Sequence, residues 1–423
     1  MQGEWLANYL LREMAVPHYF ATPENRWDDL ILPHMPAWTV VADREAAAAF
    51  HEGLPPGSGF PWLVWARPLF WWGTFLVAVL GIGLSINVIL RRQWAEHERL
   101  AYPVARALLR LTGVAGSKGT LAELCRSRLF RIGFGLMLAI ICWNIPTWFF
   151  VAMPQLPVLN AYEGLRQITI ARGFPDFVLT LSPLMLIFGY FTSLDVLFSI
   201  WFFHILSLVQ AGLFNRLDLG SSDPWCSFHP AIGWQSFGGV IVFVGWGLWI
   251  ARHHLTEVVS KALGNDRIDD SGELMSYRTA VGMLISGLVY AAFWLHDTGM
   301  GWAPVMAYWF ATLVLYVGLA RILVESGLVF LRGPITAQAF TWHLFGILGM
   351  GPASAVSVGL TFSSFCDAKT FAMTPLSHVP RLGMAMARES RRALGPAVMA
   401  GSFLGGGRPR VYPLPGLLRA WKL

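Results

Sequence analysis

Apolar residues run along this chain in blocks of twenty or more, separated by short polar stretches. A hydrocarbon core ~30 Å thick takes roughly 20 residues of helix to cross, so the blocks have spanning length. Short polar connections between them predict helical spans rather than barrel strands. The first span is Pro68 to Leu90, entered through an aromatic belt of Trp62, Trp65, Trp71 and Trp72. Ile132 to Met153 returns across the membrane, and Pro146 in "WNIP" predicts a kink because proline removes a backbone donor. Phe177 to Phe214 is too long for one span and barely enough for two, with interruptions at Ser182, Pro183 and Gly189. Ile232 to Ala251 crosses next and stops at "RHH", and Thr279–His296 and Trp302–Ala320 form a hairpin around "HDTGMG". Arg321 to Phe362 is apolar again, broken by "RGP" at 332–334 and "GMGPAS" at 349–354.

The two ends read differently. Residues 1–61 hold no spanning run, are punctuated by prolines, and show one helical patch at "DREAAAAFHEG". The start "MQGEWLANYLLREM" lacks the basic beginning and apolar core of a signal peptide. Lys369 to Arg392 is basic, Leu394 to Leu404 is too short to span, and the last residues carry no periodic pattern. Both ends read as incomplete: either spans are missing before residue 1, or the chain inserts directly with its N-terminus outside.

Charge sets the expected sidedness. Arg91 to Arg131 carries nine Lys/Arg against three Glu, whereas Met1 to Arg67 carries four Arg against eight Asp/Glu. Positive residues stay on the cytoplasmic side of short loops, so the first segment is expected inside and the second outside. The expected domains are an extracytoplasmic segment 1–67, a transmembrane bundle 68–362 with cytoplasmic loops 91–131 and 252–278, and a basic cytoplasmic region 363–423. The fold class is an all-α polytopic transmembrane helix bundle with about 8–10 membrane segments, broken helices or re-entrant hairpins among them. On this topology 177–214 begins and ends outside and 321–362 begins and ends inside, which makes each a hairpin. Opposed broken hairpins belong to secondary transporters with inverted repeats; the plainer reading is two pairs of short tilted helices.

Composition agrees with a membrane protein: 55% of residues are hydrophobic, 13% charged, and there are 20 tryptophans. The net charge of +6 is topological and calls for no nucleic-acid partner. Cys125, Cys142, Cys226 and Cys366 show no paired spacing, so neither a metal site nor a disulfide framework is indicated. No enzyme signature or cofactor motif stands out: "RHHLTE" is not HExxH, and GxSxG and Walker A patterns are missing.

The candidate chemistry lies with polar side chains inside apolar runs. In "FGYFTSLDVLFSIWFF", Asp195 is the one carboxylate. At about 100° per residue, Thr192, Ser199 and Gln210 fall within about 60° of it and form a polar stripe. A charge at the bilayer centre costs at least ~2.5–3.5 kcal/mol, so Asp195 either lines a solute or proton path or caps the second half of a broken helix. Arg321 and Glu325 stand at i, i+4 and read as a salt bridge, or as a proton or cation site released from it. His343 in "TWHLFG" titrates near neutrality or serves as a packing residue. Asn144, two residues before Pro146, either satisfies a freed carbonyl or lines a cavity. Gly351, Ala355 and Gly359 have the spacing of close helix contacts.

Four stretches carry a resemblance: "FATPENRWDDLILPHMPAW", "EGLPPGSGFPW", "RRQWAEHERLAYPVARALLRL" and "GYFTSLDVLFSIWFFHILSLVQ". Together they resemble an uncharacterised bacterial family of multi-spanning proteins distantly similar to the oligopeptide transporter superfamily. The resemblance covers roughly residues 15 to 330 and weakens after that. It implies a polytopic inner-membrane protein and a transporter, and it carries over no substrate and no binding residues. The expected function is secondary transport of a small solute or peptide with proton or cation coupling, in contact with membrane lipid. The competing expectation is a non-transporting subunit that anchors or assembles a partner through residues 1–67 and the loop at 91–131. Homo-oligomerisation is left open.

Overall fold

Helix dominates the computed structural model, which describes residues 2–54, 57–112, 125–147, 149–150, 153–154, 156, 166–179, 186, 189–190, 192–219, 226, 229–265, 267–326, 331–362, 376–384, 386, 394–395 and 397. Helices α1 (Gln2–Tyr19), α2 (Trp27–Leu30) and α3 (Arg44–Glu52) precede the first span. The patch at "DREAAAAFHEG" is α3, capped by the Asp43 side chain, which accepts from the N–H groups of Glu45 and Ala46, and stopped at Gly53 with φ 99°. Next come α4 (Trp62–Arg92), which runs into a π turn at Gln93–His97, α5 (Pro103–Thr112) and α6 (Arg128–Thr147). A two-stranded antiparallel sheet, β1 (Arg166–Ile168) and β2 (Phe177–Leu179), pairs Gln167 with Val178. It is followed by α7 (Leu194–Arg216), α8 (Pro230–Ile250), α9 (Arg252–Ala262), α10 (Tyr277–Asp297), α11 (Trp302–Ser326), α12 (Ala337–Phe345), α13 (Ile347–Leu360) and α14 (Val379–Met384).

Among the described residues six helices are long and apolar enough to cross a membrane: α4, α6, α7, α8, α10 and α11. Among the described residues the apolar stretch after α11 forms α12 and α13, of nine and fourteen residues, each shorter than a span. The expected breaks are present: residues 331–336, with "RGP", lie outside any helix, and Gly351, at φ 78°, kinks α13 just before Pro352; Gly346, at φ 69°, adds a break between α12 and α13 that was not foreseen.

Several boundaries differ from the sequence reading. Helix α4 starts at Trp62, six residues before Pro68, because its first turns dock on the N-terminal segment. There the Trp72 indole N–H donates to the Thr39 carbonyl at 2.9 Å, and Trp38 packs edge-on against Trp294. Pro146 ends α6 instead of kinking it, since the N–H groups of Phe149 and Phe150 close back on the Pro146 carbonyl. Phe177 belongs to β2, and among the described residues the one helix of spanning length in the 177–214 stretch is α7, with residues 186, 189 and 190 also helical; the breaks foreseen at Ser182 and Pro183 lie outside the described residues. "RHH" opens α9 instead of a loop, and α11 continues six residues past Ala320, so Arg321 and Glu325 fall in its last turns.

The chain divides into two units. One comprises 1–99, 237–321 and 330–423; the other comprises 100–236 and 322–329. The first is built on α4 against α10, where Gly287 lets the backbones approach: a Cβ there would stand 3.0 Å from Ile82 Cγ1. Its core gathers Leu84, Val88, Ile89, Val258, Leu274, Tyr277 and Ala280, with Val379 and Leu394 from the C-terminal region packed against it. In the second unit the loop before β2 is held on α7. Gly212 leaves room for the Phe174 ring, the Asn215 amide donates to Gly173 O at 3.0 Å, and the Arg216 guanidinium lies 5.0 Å over Phe174.

Candidate functional site

The residues singled out from sequence are placed separately. Asp195 is exposed in the first turn of α7, with Ser193 at the N-cap position, and its carboxylate makes no hydrogen bond or ion pair with a described residue. That position suits a carboxylate at a helix N-terminus. The Ser199 hydroxyl turns back to the Asp195 carbonyl at 2.7 Å, and Thr192 lies before the helix begins, so the stripe foreseen along 192–210 is interrupted at its start. Gln210 faces a neighbouring helix: its amide donates to Gln235 Oε1 of α8 at 2.8 Å. Asn144 exchanges bonds of 2.8 and 2.9 Å with the Leu156 carbonyl and N–H, twelve residues on, and not with a helix carbonyl freed by Pro146. His343 is exposed on α12 and Glu325 is exposed near the end of α11.

The expected Arg321–Glu325 pair does not form. Arg321 Nη2 reaches Glu98 Oε2 at 2.6 Å, with both side chains mostly buried, because α11 delivers Arg321 beside the segment that follows the π turn. The guanidinium passes over Gly247 of α8, where a Cβ would stand 2.5 Å from Arg321 Nη1, and lies 5.0 Å over the Phe243 ring. Glu98 Oε1 also accepts from the Gln93 amide at 3.0 Å, and Gln93 Oε1 meets His97 Nδ1 at 3.0 Å.

A second buried pair stands at the same end of α4. Arg91 and Glu273 have side chains 5% and 3% exposed. Arg91 Nε donates to Glu273 Oε2 at 2.5 Å and Nη2 to Oε1, a bidentate pairing that fixes both partners. Arg91 also pairs with Glu96 at 3.0 Å and touches Met384 Sδ of α14, and the Tyr277 hydroxyl donates to Glu273 Oε1 at 3.0 Å. Arg92 pairs with Glu96 at 3.5 Å, so three arginines meet three glutamates and the cluster is neutral in sum. Such a network is costly to open: removing one partner from a buried pair destabilises by about 3–5 kcal/mol.

The π turn and a histidine complete this end. The Gln93 N–H bonds to Leu90 O, out of the regular helical ladder, and the Ile89 carbonyl accepts from His254 Nε2 at 2.8 Å. Burial pushes the His254 pKa down, with the nearby His97 and Arg92 adding to that shift and the Ile89 carbonyl opposing it. The neutral ring carries its proton on Nε2, and Nδ1 has no hydrogen-bond partner among the described residues.

A neutral polar seam runs through the same unit. Tyr308, Thr312 and Tyr316 recur at i, i+4 and i+8 on one face of α11 and are fully buried. The Gln338 amide of α12 donates to Thr361 Oγ1 at 3.0 Å, just beyond α13, and Tyr308 neighbours both Thr361 and Thr312. Near the α10–α11 turn, Ser354 Oγ accepts from Gly301 N at 3.0 Å, and the Thr298 and Ser357 hydroxyls meet. The four-residue recurrence of hydroxyls in "YWFATLVLY" was the available sequence signal. The two buried ion pairs had none, since their partners are 182 (273 − 91) and 223 (321 − 98) positions apart.

Chemically the cluster can hold charge and release it on rearrangement. Among the described residues no group of three or more His, Cys, Asp or Glu is placed to hold a metal, and Cys125 and Cys142 are free thiols. No curated protein and no solved structure matches the chain. One family model spans residues 1–407, nearly the whole chain, and on that match the protein belongs to the family of unknown function DUF6785.

Proposed function

We propose that the protein is a secondary transporter of a small solute or peptide, in which the Arg91–Glu273 and Glu98–Arg321 pairs close one end of the pathway. One observation carries this reading: two buried ion pairs join the ends of α4 and α11 and the residues before α10, next to a π turn that departs from regular helix. Charges at the end of apolar spans are retained at a cost unless they serve a path or a two-state contact. The short helices α12 and α13, with positive-φ glycines between and within them, fit the broken elements that transporters place at their sites. The resemblance of the four quoted stretches to a family distantly similar to the oligopeptide transporter superfamily supports the same class, and the positive-inside asymmetry supports a closed end on the cytoplasmic side of an inner membrane. Proton coupling falls more naturally on Glu98 than on Asp195 or Glu325, because Glu98 is paired and mostly buried.

The test is uptake by full-length protein in liposomes. Vesicles carrying an imposed inward proton gradient receive a library of labelled di- and tripeptides, and their contents are read by mass spectrometry after rapid filtration. The wild type should accumulate some members above protein-free vesicles, and Glu98→Gln should lose the dependence on the gradient. Accumulation no greater than in protein-free vesicles sinks the peptide reading. The anchoring alternative rests on exposed Phe20 and Leu30 of the outer segment. It predicts that deleting residues 1–61 releases a bound protein while Glu98→Gln changes nothing.

A further inference from the structure

We infer that the hydroxyl and amide oxygens around Thr361 form a binding site for a monovalent alkali cation. The inference goes beyond the transport reading by adding an alkali cation to the proton assigned to Glu98, and it rests on that reading for the ion's role only. The members are Tyr308 and Thr312 on α11, Gln338 on α12 and Thr361 after α13, each 0% exposed. Gln338 spends its amide N–H on Thr361 Oγ1 at 3.0 Å, while its Oε1 has no hydrogen-bond partner among the described residues. Thr361 donates its own hydrogen to Val358 O at 2.8 Å, which leaves its oxygen as an acceptor. The Thr312 hydroxyl neighbours that of Tyr308 on the same face of α11. It does not fold back on its helix as Thr341 does, whose Oγ1 donates to Ala337 O at 2.8 Å. A fully buried acceptor left open costs about 1–3 kcal/mol, so the open Gln338 amide oxygen, tied through Thr361 to the Tyr308 and Thr312 hydroxyls, asks for an occupant.

The donor set selects the occupant's class. These four side chains offer oxygen only, without the thiolate or imidazole that zinc takes. They include no carboxylate, so the dehydration of calcium or magnesium would go uncompensated. Neutral oxygens suit a singly charged hard cation, as carbonyl rings do in selective channels, and helix breaks such as those at Gly346 and Gly351 are where coupling ions sit in transporters. A single buried water is the competing occupant.

The experiment uses purified full-length protein in detergent, with unfolding followed by tryptophan fluorescence as choline chloride is replaced by sodium, lithium or potassium chloride at constant total salt. The unfolding temperature should rise saturably with one of these cations. Gln338→Leu should weaken that response at least tenfold, and Gln338→Glu should retain or strengthen it. Thr312→Val serves the same purpose if Gln338→Leu does not fold. A response equal in wild type and variant, or none to any alkali cation, overturns the site and leaves a buried water only. A saturable shift in a protein that accumulates no solute sustains the site while the transport reading fails. Solute accumulation without any cation shift does the opposite.

Discussion

Asp195 at the start of α7 and Arg91 with Glu273 at the end of α4 are carboxylate and guanidinium groups in opposite circumstances. Asp195 stands among apolar neighbours in sequence and is exposed at a helix N-terminus. Arg91 and Glu273 lie in charged stretches of sequence that read as loop, and they are nearly inaccessible and bidentately paired. Polar neighbours in sequence thus say little about burial. A charge ends up buried where several helix ends converge and can supply its counter-charge, which is the condition a low-dielectric site imposes.

The sharpest way to break this comparison is to strand one charge. Glu273→Ala should destabilise by about 3–5 kcal/mol by leaving the Arg91 guanidinium buried and unpaired. The double variant with Arg91→Met should recover a large part of that loss in a thermal-unfolding cycle. If the single and double variants are equally destabilised, the pair is not coupled as described.

Acid should weaken the same unit next. Burial holds the His378 pKa down to about 4 from the usual 6.5, so the folded state resists a proton that the unfolded chain accepts. The stabilising difference is complete above pH 6.5 and is lost as pH falls towards 4, to the extent of about 3 kcal/mol. His254 acts in the same direction. His378→Phe should flatten the decline between pH 6.5 and 4, read as unfolding temperature against pH; an unchanged slope would assign the decline to other groups.

Gly247→Ala comes third, because its methyl would meet Arg321 Nη1 at 2.5 Å. Shifting the guanidinium should cost about 1–3 kcal/mol, and combining the change with Glu98→Gln should be less than additive. The smallest effects belong to the second unit. Gln210→Ala should cost about 0.6 kcal/mol, the average for hydrogen bonds between membrane helices. Asp195→Asn should stay within about ±0.5 kcal/mol in the same unfolding assay. A loss near 3 kcal/mol at Asp195 would place it with the buried charges and undo the contrast.

Much of the fold was legible because spanning length and helix punctuation are local properties. The blocks that became α4, α8, α10 and α11 were visible as apolar runs, and the breaks before α12 and at Gly351 as "RGP" and "GMGPAS", whereas the break at Gly346 was not. Boundaries moved where distant contacts overrode local signals. The docking of Trp65 and Trp72 under the N-terminal segment extends α4 through Pro68, and backbone closure on Pro146 ends α6.

The candidate site was legible only in its ingredients. Arg321 was singled out, yet its partner is Glu98 and not the nearer Glu325, since pairing follows the space left at Gly247 and not spacing along one helix. Gln210 does face a neighbouring helix, through Gln235. By itself the sequence determined a membrane-spanning helical class, because hydrophobic length acts residue by residue along the chain. Only the tertiary structure decided which charges and hydroxyls are buried together, because burial of a polar group depends on what the rest of the fold brings to meet it.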